Sequence, residues 1–312
     1  MSKPTLSLVI CTYNNAKLLD RALECLSRQT ADPRSWSVLV VDNNCTDETS
    51  EVVDRYRVDG GIPGLRRVVE TQQGLTPARL CGVRNTRSEW IAFVDDDCFL
   101  REDWVENALR FAASHPHCGA FGGRNVLSWE VPPSEFLAKY GAVFAQQEHG
   151  PEPLRFDLQV PYRPALAGAG LVMRREALER SGWLASQQIA EREGGKLTSG
   201  GDQEIVILIA KAGYELWYTP DCLLRHYIPQ RRTSEAYLES LYYGIGASMP
   251  PLDRLIGDPK WPRAYFLRIS KGLAKVVIMK FVLRRRPDYR LNLSYLKGLW
   301  DAKDGIALGL RV

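Results

Sequence analysis

The sequence predicts an α/β protein: a mostly parallel sheet with helices on both faces, followed by a helical, basic tail. Three observations predict it. Apolar, β-rich runs alternate with segments of helical spacing through residues 6–113. The runs are apolar nearly throughout, as strands covered on both faces are. Several of them end in polar residues, and ligands of open α/β sheets bind outside the carboxyl ends of strands.

Residues 6–11 read as a buried strand that ends at Thr12-Tyr13-Asn14-Asn15. Residues 16–28 carry Leu18, Leu19, Ala22, Leu23 and Leu26 at helical spacing. Residues 38–41 form a second strand, ending at Asp42-Asn43-Asn44. Residues 47–56 read as a helix with Thr46 or Asp47 as N-cap. Residues 65–69 are a third, weaker strand and residues 76–85 a helix. Residues 90–94 are the fourth strand, ending at Asp95-Asp96-Asp97, and residues 104–113 a helix with an acidic start at Glu102-Asp103.

The triplet Asp95-Asp96-Asp97 is the most informative of these strand ends. Like charges repel, and a core strand does not ordinarily end in three carboxylates. A divalent cation, Mg²⁺ or Mn²⁺, gives them a reason, because such ions prefer oxygen ligands and are held by one or two carboxylates plus substrate phosphates. With Thr12, Tyr13, Asn14 and Asp42, the triplet marks one rim of the sheet as a ligand-binding edge. Asp42 suits a base N–H or a sugar hydroxyl, or it caps the next turn.

Composition sets the frame. The chain has 312 residues, 45% apolar and 25% charged, which is ordinary for a globular protein. Its seven cysteines are scattered, odd in number and without CxxC spacing, so they read as thiols in a reducing, cytoplasmic compartment rather than as disulfides or a zinc site. Lys3-Pro4 leads straight into a strand, so no signal peptide is expected. Residues 260–312 hold 13 Lys and Arg against 3 Asp and Glu, a balance of +10, while residues 1–259 balance at −6. The expected organisation is one α/β domain in two halves, residues 1–117 and 118–235, and a tail over 236–312.

Residues 6–15, Val40-Val41-Asp42-Asn43, residues 74–79 and residues 93–97, in this order and spacing, resemble the N-terminal half of the family-2 glycosyltransferases. Those are inverting enzymes of the GT-A fold that use nucleotide sugars. The resemblance covers about residues 4–235. It implies that Thr12 and Asp42 hold the nucleoside, that Arg79 lies near the nucleotide, and that Asp95 and Asp97 form a DxD element meeting the donor and its metal. The chain departs from the pattern at Leu80, where relatives often carry Asn.

Acceptor and base are expected from the second half. A long stretch with several prolines, residues 132–164, reads as a functional loop or lid and carries Phe136, Tyr140, Phe144, Phe156 and Tyr162. Gly168-Ala169-Gly170 precedes a short strand at 171–173; its glycines permit close backbone approach, by a sugar, or make a plain turn. Residues 175–180 read as a helix. Asp202 then stands at the start of an apolar helix, where it serves as a first-turn acid or as a base. Relatives place a Glu-Asp pair here whose Asp deprotonates the acceptor hydroxyl. This chain has Gly201 in place of the Glu and keeps Asp202, with Glu204 as the second candidate. Residues 216–219 and 223–225 read as short strands. The resemblance places His226, after the second strand, near metal and diphosphate as a ligand or hydrogen-bond donor. Arg231 and Arg232 follow at a distance that suits a loop closing on the diphosphate, whose geometry Arg matches.

In the tail, residues 264–283 read as a helix. Arg268, Lys271 and Lys275 recur at three- and four-residue spacing on one face. Its uninterrupted apolar run is too short to span a bilayer. With Arg284-Arg285-Arg286 behind it, it predicts an interfacial helix on an anionic membrane, the alternative being a helix docked on the catalytic domain or at a dimer interface. No nucleic-acid module accompanies the charge. The function expected is an inverting transfer of sugar to an acceptor hydroxyl of a saccharide or a lipid-linked molecule, for polysaccharide or glycolipid synthesis at the inner membrane face. The alternatives are a sugar-phosphate nucleotidyltransferase, disfavoured because residues 8–15 hold no glycine for a phosphate loop, and a binding protein that has lost the chemistry.

Overall fold

The computed structural model describes residues 4–158, 166–187, 189, 200–257, 261–282 and 286–302. Tyr162, Arg284 and Arg285 of the sequence reading lie outside them. In chain order the elements are β1 (Leu6–Thr12), α1 (Ala16–Ser27), β2 (Trp36–Asp42), α2 (Thr49–Asp59), β3 (Arg66–Val69), α3 (Leu75–Arg84), β4 (Trp90–Asp95), β5 (Cys98–Leu100) and α4 (Trp104–Ser114). They continue with β6 (Cys118–Gly122), β7 (Asn125–Trp129), α5 (Glu135–Ala138), β8 (Leu154–Phe156), β9 (Leu171–Arg174), α6 (Arg175–Arg180) and α7 (Gly201–Lys211). The last are β10 (Glu215–Tyr218), β11 (Leu224–Ile228), α8 (Glu235–Ile256), α9 (Trp261–Val277) and α10 (Arg286–Asp301).

The central sheet has eight strands in the order β3-β2-β1-β4-β9-β6-β10-β8. The pairs β2–β3, β1–β2, β1–β4 and β6–β10 are parallel. Side chains alternate across it, as the two-residue period of a strand requires. Leu8, Ile10, Val38, Val40, Ala92 and Val94 face one core with α1, α2 and α4. Val9, Leu39, Val41, Ile91 and Phe93 face the other with α3, α6 and α7. Each such fully buried side chain contributes about 1.5–3 kcal/mol relative to exposure. Residues apolar on both faces are therefore what the double cover demands.

Several features were not foreseen. β9 runs antiparallel between β4 and β6. β5, β11 and β7 form a separate three-stranded sheet, in which His226 pairs with Cys98 inside the strand rather than following it. The proline-containing stretch holds short pieces, α5, a 3₁₀ turn at Gly141–Phe144 and β8. Such pieces are too short for a periodic signal. α2 begins at Thr49, and Asp47 accepts from Thr49 N at 3.2 Å while its other oxygen accepts from Ala16 N, at the start of α1, at 2.9 Å. One carboxylate thus joins the ends of two helices.

The tail packs against α7. Ile207 of α7, Met249, Leu252 and Leu255 of α8, Tyr265 and Val276 of α9, and Leu296 and Leu299 of α10 share one core. α8 and α10 approach at backbone distance: a Cβ on Gly298 would stand 2.1 Å from Tyr243 O, and one on Gly246 2.1 Å from Tyr295 O. Arg268 lies on the same side of α9 as Lys271 and Lys275 but, unlike them, has an acidic partner among the described residues. It turns inward and donates to Asp253 Oδ2 at 2.7 Å, because α8 offers it a nearly buried carboxylate.

Candidate active site

Strand register assembles the rim. Thr12 pairs with Asp42 across β1–β2, and Cys11 pairs with Asp95 across β1–β4, so three polar strand ends stand side by side. The loops above them are tied together. Thr12 Oγ1 donates to Asp96 Oδ2 at 2.7 Å and Asn15 Nδ2 to Asp96 Oδ1 at 2.7 Å. Thr46 N donates to Asn14 Oδ1 at 2.7 Å, with Asn14 at φ 49°, a backbone region that Asn tolerates. Asn43 donates to Glu70 O and Gln72 O and accepts from Gly74 N at 2.9 Å, anchoring the start of α3. Both oxygens of Asp42 are engaged, Oδ1 by Cys45 N and Oδ2 by Arg67 Nη1, each at 2.8 Å. Tyr13 stands exposed at the mouth.

The three acids of the triplet have three environments. Asp96 is half-buried and clasped by Thr12 of β1 and Asn15 at the start of α1. Burial, then the neighbouring charge of Asp97, push its carboxyl up to about 7 against the two hydrogen bonds that favour the ion. Asp97 is buried. Its Oδ2 accepts from Arg232 Nη1 at 2.9 Å, and its Oδ1 lies 3.4 Å from His226 Nε2. Asp95 is half-buried beside them. His226 Nδ1 donates to Phe144 O at 2.7 Å. Burial opposes the imidazolium, but the Asp97 carboxylate outweighs it and raises the His226 pKa above its ordinary value.

Among the described residues, Asp97, Cys98 and His226 bring ligand atoms within 4.8 Å of one another, and Asp95 stands outside that cluster. The donor set fits a hard divalent cation at Asp97 and His226. With Nδ1–H given to Phe144, Nε2 faces the Asp97 carboxylate, and the charge between them is balanced by a proton on Nε2, as the raised pKa favours, or would be by a bound cation that takes the Nε2 lone pair. Cys98 does not join: burial lifts its thiol well above the ordinary range, and sulfur is a poor partner for Mg²⁺ or Mn²⁺. Arg232 supplies a positive charge to the second Asp97 oxygen. Arg231, its neighbour, is exposed, so the two arginines have separate surroundings.

The second acid lies across the same rim. β9 begins beside the end of β4, with Leu171 opposite Phe93 and Gly170 N donating to Phe93 O at 3.0 Å. Just before it, Gly168 N donates to Asp202 Oδ2 at 2.8 Å. Asp202 Oδ1 accepts from Gln203 N at 2.9 Å in the first turn of α7. Arg79 is buried over the Phe93 ring, 5.1 Å from its centroid. A Cβ on Gly168 would lie 2.9 Å from Asp202 Oδ2 and 3.2 Å from Arg79 Nη2. The close approach at Gly168 is therefore made by the protein's own side chains, with Arg79 and Asp202 meeting over it. Glu204 does not face the rim. It is fully buried and accepts from Ile189 N at 3.2 Å, since two residues along a helix turn a side chain to the far side. Arg67 joins the site unforeseen, and Asn15 and Asn43, read from the sequence only as strand-end residues, tie its loops together, because these roles come from pairing between loops distant in sequence.

A mostly parallel sheet with an acidic turn on its carboxyl rim, and helices on both faces, is the architecture of the GT-A glycosyltransferases. The model of the family described as Glycosyl transferase family 2 matches residues 7–182, more than half of the chain, and the chain belongs to that family. Among curated proteins it is 26% identical over 244 residues to glycosyltransferase AglE of Haloferax volcanii, covering 78% of this chain and 73% of that one. It is 32% identical over 185 residues to validoxylamine A glucosyltransferase of Streptomyces hygroscopicus, covering 52% of this chain and 39% of the other, so it spans less than half of that enzyme's length. Among solved structures, a mannosyltransferase of Pyrobaculum calidifontis in complex with GDP-Man and Mn²⁺ matches at a TM-score of 0.61 and 19% identity, over 96% of this chain and 88% of that one. TarS 1-349 of Staphylococcus aureus in complex with UDP-GlcNAc matches at 0.52 and 16%, over 96% and 92%. The nucleotidyltransferase alternative gives way to this family.

Proposed function

We propose that this glycosyltransferase inverts the anomeric centre, moving a sugar from a nucleoside-diphosphate donor to an acceptor hydroxyl in one displacement. The observation that carries the reading is the docking of Asp202 on Gly168 at the end of β4, which puts a half-buried carboxylate on the rim that already holds Asp95–Asp97. Thr12, Asn14 and Asp42 frame the nucleoside, and Tyr13 offers an exposed ring at its edge. Asp97 and His226, with Asp95 beside them, would hold a divalent ion, and such an ion when bound neutralises charge on a diphosphate. Arg232, paired with Asp97, brings a guanidinium to the place where negative charge develops on the leaving group, and exposed Arg231 of the same turn would have to swing in to join it. Asp202 accepts the proton of the acceptor hydroxyl, its carboxylate oriented by two backbone amides. Arg79 stands beside it. Under this reading, residues 1–117 serve the donor and residues 118–235 the acceptor. A nucleotide-sugar donor and free thiols both suit a reducing, cytoplasmic compartment.

A panel of UDP-, GDP- and dTDP-sugars, assayed for binding and hydrolysis with Mn²⁺ or with EDTA, tests the donor side. One donor should bind, and only with Mn²⁺. Equal affinity in EDTA would remove the metal from the reading. Proton NMR of the first-formed product tests the stereochemistry: retention of the donor's anomeric configuration would exclude a single displacement.

A further inference from the structure

α9 and the π-helical turn after it, Ile278–Val282, turn an apolar stripe outward. Phe266, Leu273, Val277 and Phe281 follow at spacings of seven, four and four residues, which keeps them on one helical face. Leu267 and Ile278 lie beside them. All six are exposed, Phe266 at 64% and Phe281 at 67%. The adjoining face, with Tyr265 and Val276, is already packed in the tail core, and Tyr265 OH donates to Leu299 O at 2.8 Å. A helix docked by one face with a second apolar face in water has more apolar surface than its own fold requires.

The charge beside that stripe is of one sign. Arg263, Lys271, Lys275 and Lys280 are exposed, and none has an ion pair among the described residues. Residues 260–286 contain nine Lys and Arg and no Asp or Glu. No described helix is long and apolar enough to cross a membrane.

We infer that the outward face of α9 is a docking surface for an anionic lipid bilayer, with the aromatic and aliphatic stripe seated at headgroup depth and the lysines on lipid phosphates. A second copy of the chain fits the face poorly. Two-fold pairing sets identical patches against each other, and here it would bring Lys271 and Lys275 of both copies together with no acid between them. An anionic leaflet supplies the missing sign. The inference is independent of the transfer reaction. If both hold, the enzyme meets its acceptor at a lipid surface, as a lipid-linked saccharide requires.

Co-sedimentation of the full chain with phosphatidylcholine vesicles, with and without phosphatidylglycerol, tests it. Wild type should prefer the anionic vesicles by about tenfold or more, and salt should weaken that preference by screening. Lys271→Gln with Lys275→Gln should lose on the order of 30-fold, at about fivefold for each basic residue near the surface. Phe266→Ser with Phe281→Ser should lose binding to both vesicle types. Circular dichroism should be unchanged in both variants. The inference is overturned if wild type stays in the supernatant with anionic vesicles or if the variants sediment like wild type. It is overturned in favour of a second copy if light scattering shows a wild-type dimer that Phe266→Ser with Phe281→Ser turns into monomer.

Discussion

Asp97 stands between a guanidinium and an imidazole, while Asp202, on the same rim, is held by two backbone amides. The first is buried, and its oxygens meet cationic groups from a second sheet and the turn beyond it. The second is half-buried at a helix start, its oxygens oriented by backbone N–H groups, with the Arg79 guanidinium near it across Gly168. A carboxylate enclosed by cations balances charge; one oriented by amides with an edge left open can receive a proton from an arriving hydroxyl. Residue type is the same in both places, so the partners make the distinction between them.

The comparison is broken most severely at Asp97. Asp97→Ala leaves Arg232 and His226 without their carboxylate, and breaking a buried pair costs about 3–5 kcal/mol. A melting temperature lower by roughly 10 °C is expected, together with loss of any Mn²⁺-dependent thermal shift. Scanning calorimetry with Mn²⁺ and with EDTA checks both; an unchanged Mn²⁺ shift would move the metal away from this residue.

At Asp202 the expected effect is on rate. Asp202→Asn keeps an oxygen for the Gly168 amide but removes the base, so kcat should fall by about 10²–10⁴, or roughly 3–5 kcal/mol of barrier. Donor KM and melting temperature should hardly move. Steady-state kinetics with the donor found above decide it, and near wild-type turnover would send the search for the base elsewhere. The fully buried Glu204 is a poor successor.

The smallest effect is expected at Asp42, whose two oxygens are each already engaged by its own protein. Its two hydrogen bonds leave further lone pairs for a nucleoside. Asp42→Asn should raise donor KM about tenfold, near 1.4 kcal/mol, with kcat unchanged. The Arg67 partner is partly exposed, so stability should change by no more than about 1 kcal/mol. Donor titration by calorimetry reads the binding effect. An unaltered donor affinity would leave Asp42 as a strut for Cys45 and Arg67 alone.

The sequence by itself determined the alternating half of the protein. Strands β1, β2 and β4 are legible because burial on both faces writes them as continuous apolar runs, and their polar ends mark the rim wherever they fall. The helices α1 and α4 are legible from the spacing of Leu19, Leu23 and Leu26, and of Val105, Ala108 and Ala112. Only the tertiary structure decided the partners. The His226 pairing with Asp97 depends on β11 lying against β5, a strand of three residues with no period of its own. Arg268, expected on the basic face, turned inward to Asp253 because α8 packs there, and α8 carries Pro250 and Pro251 within a helix, against local preference. Glu204 went into the core and Gly168 against Asp202 for the same reason. Local periodicity fixes which residues share a face of one element, but contacts between elements far apart in sequence are set by how whole layers pack, and that information is spread over the chain.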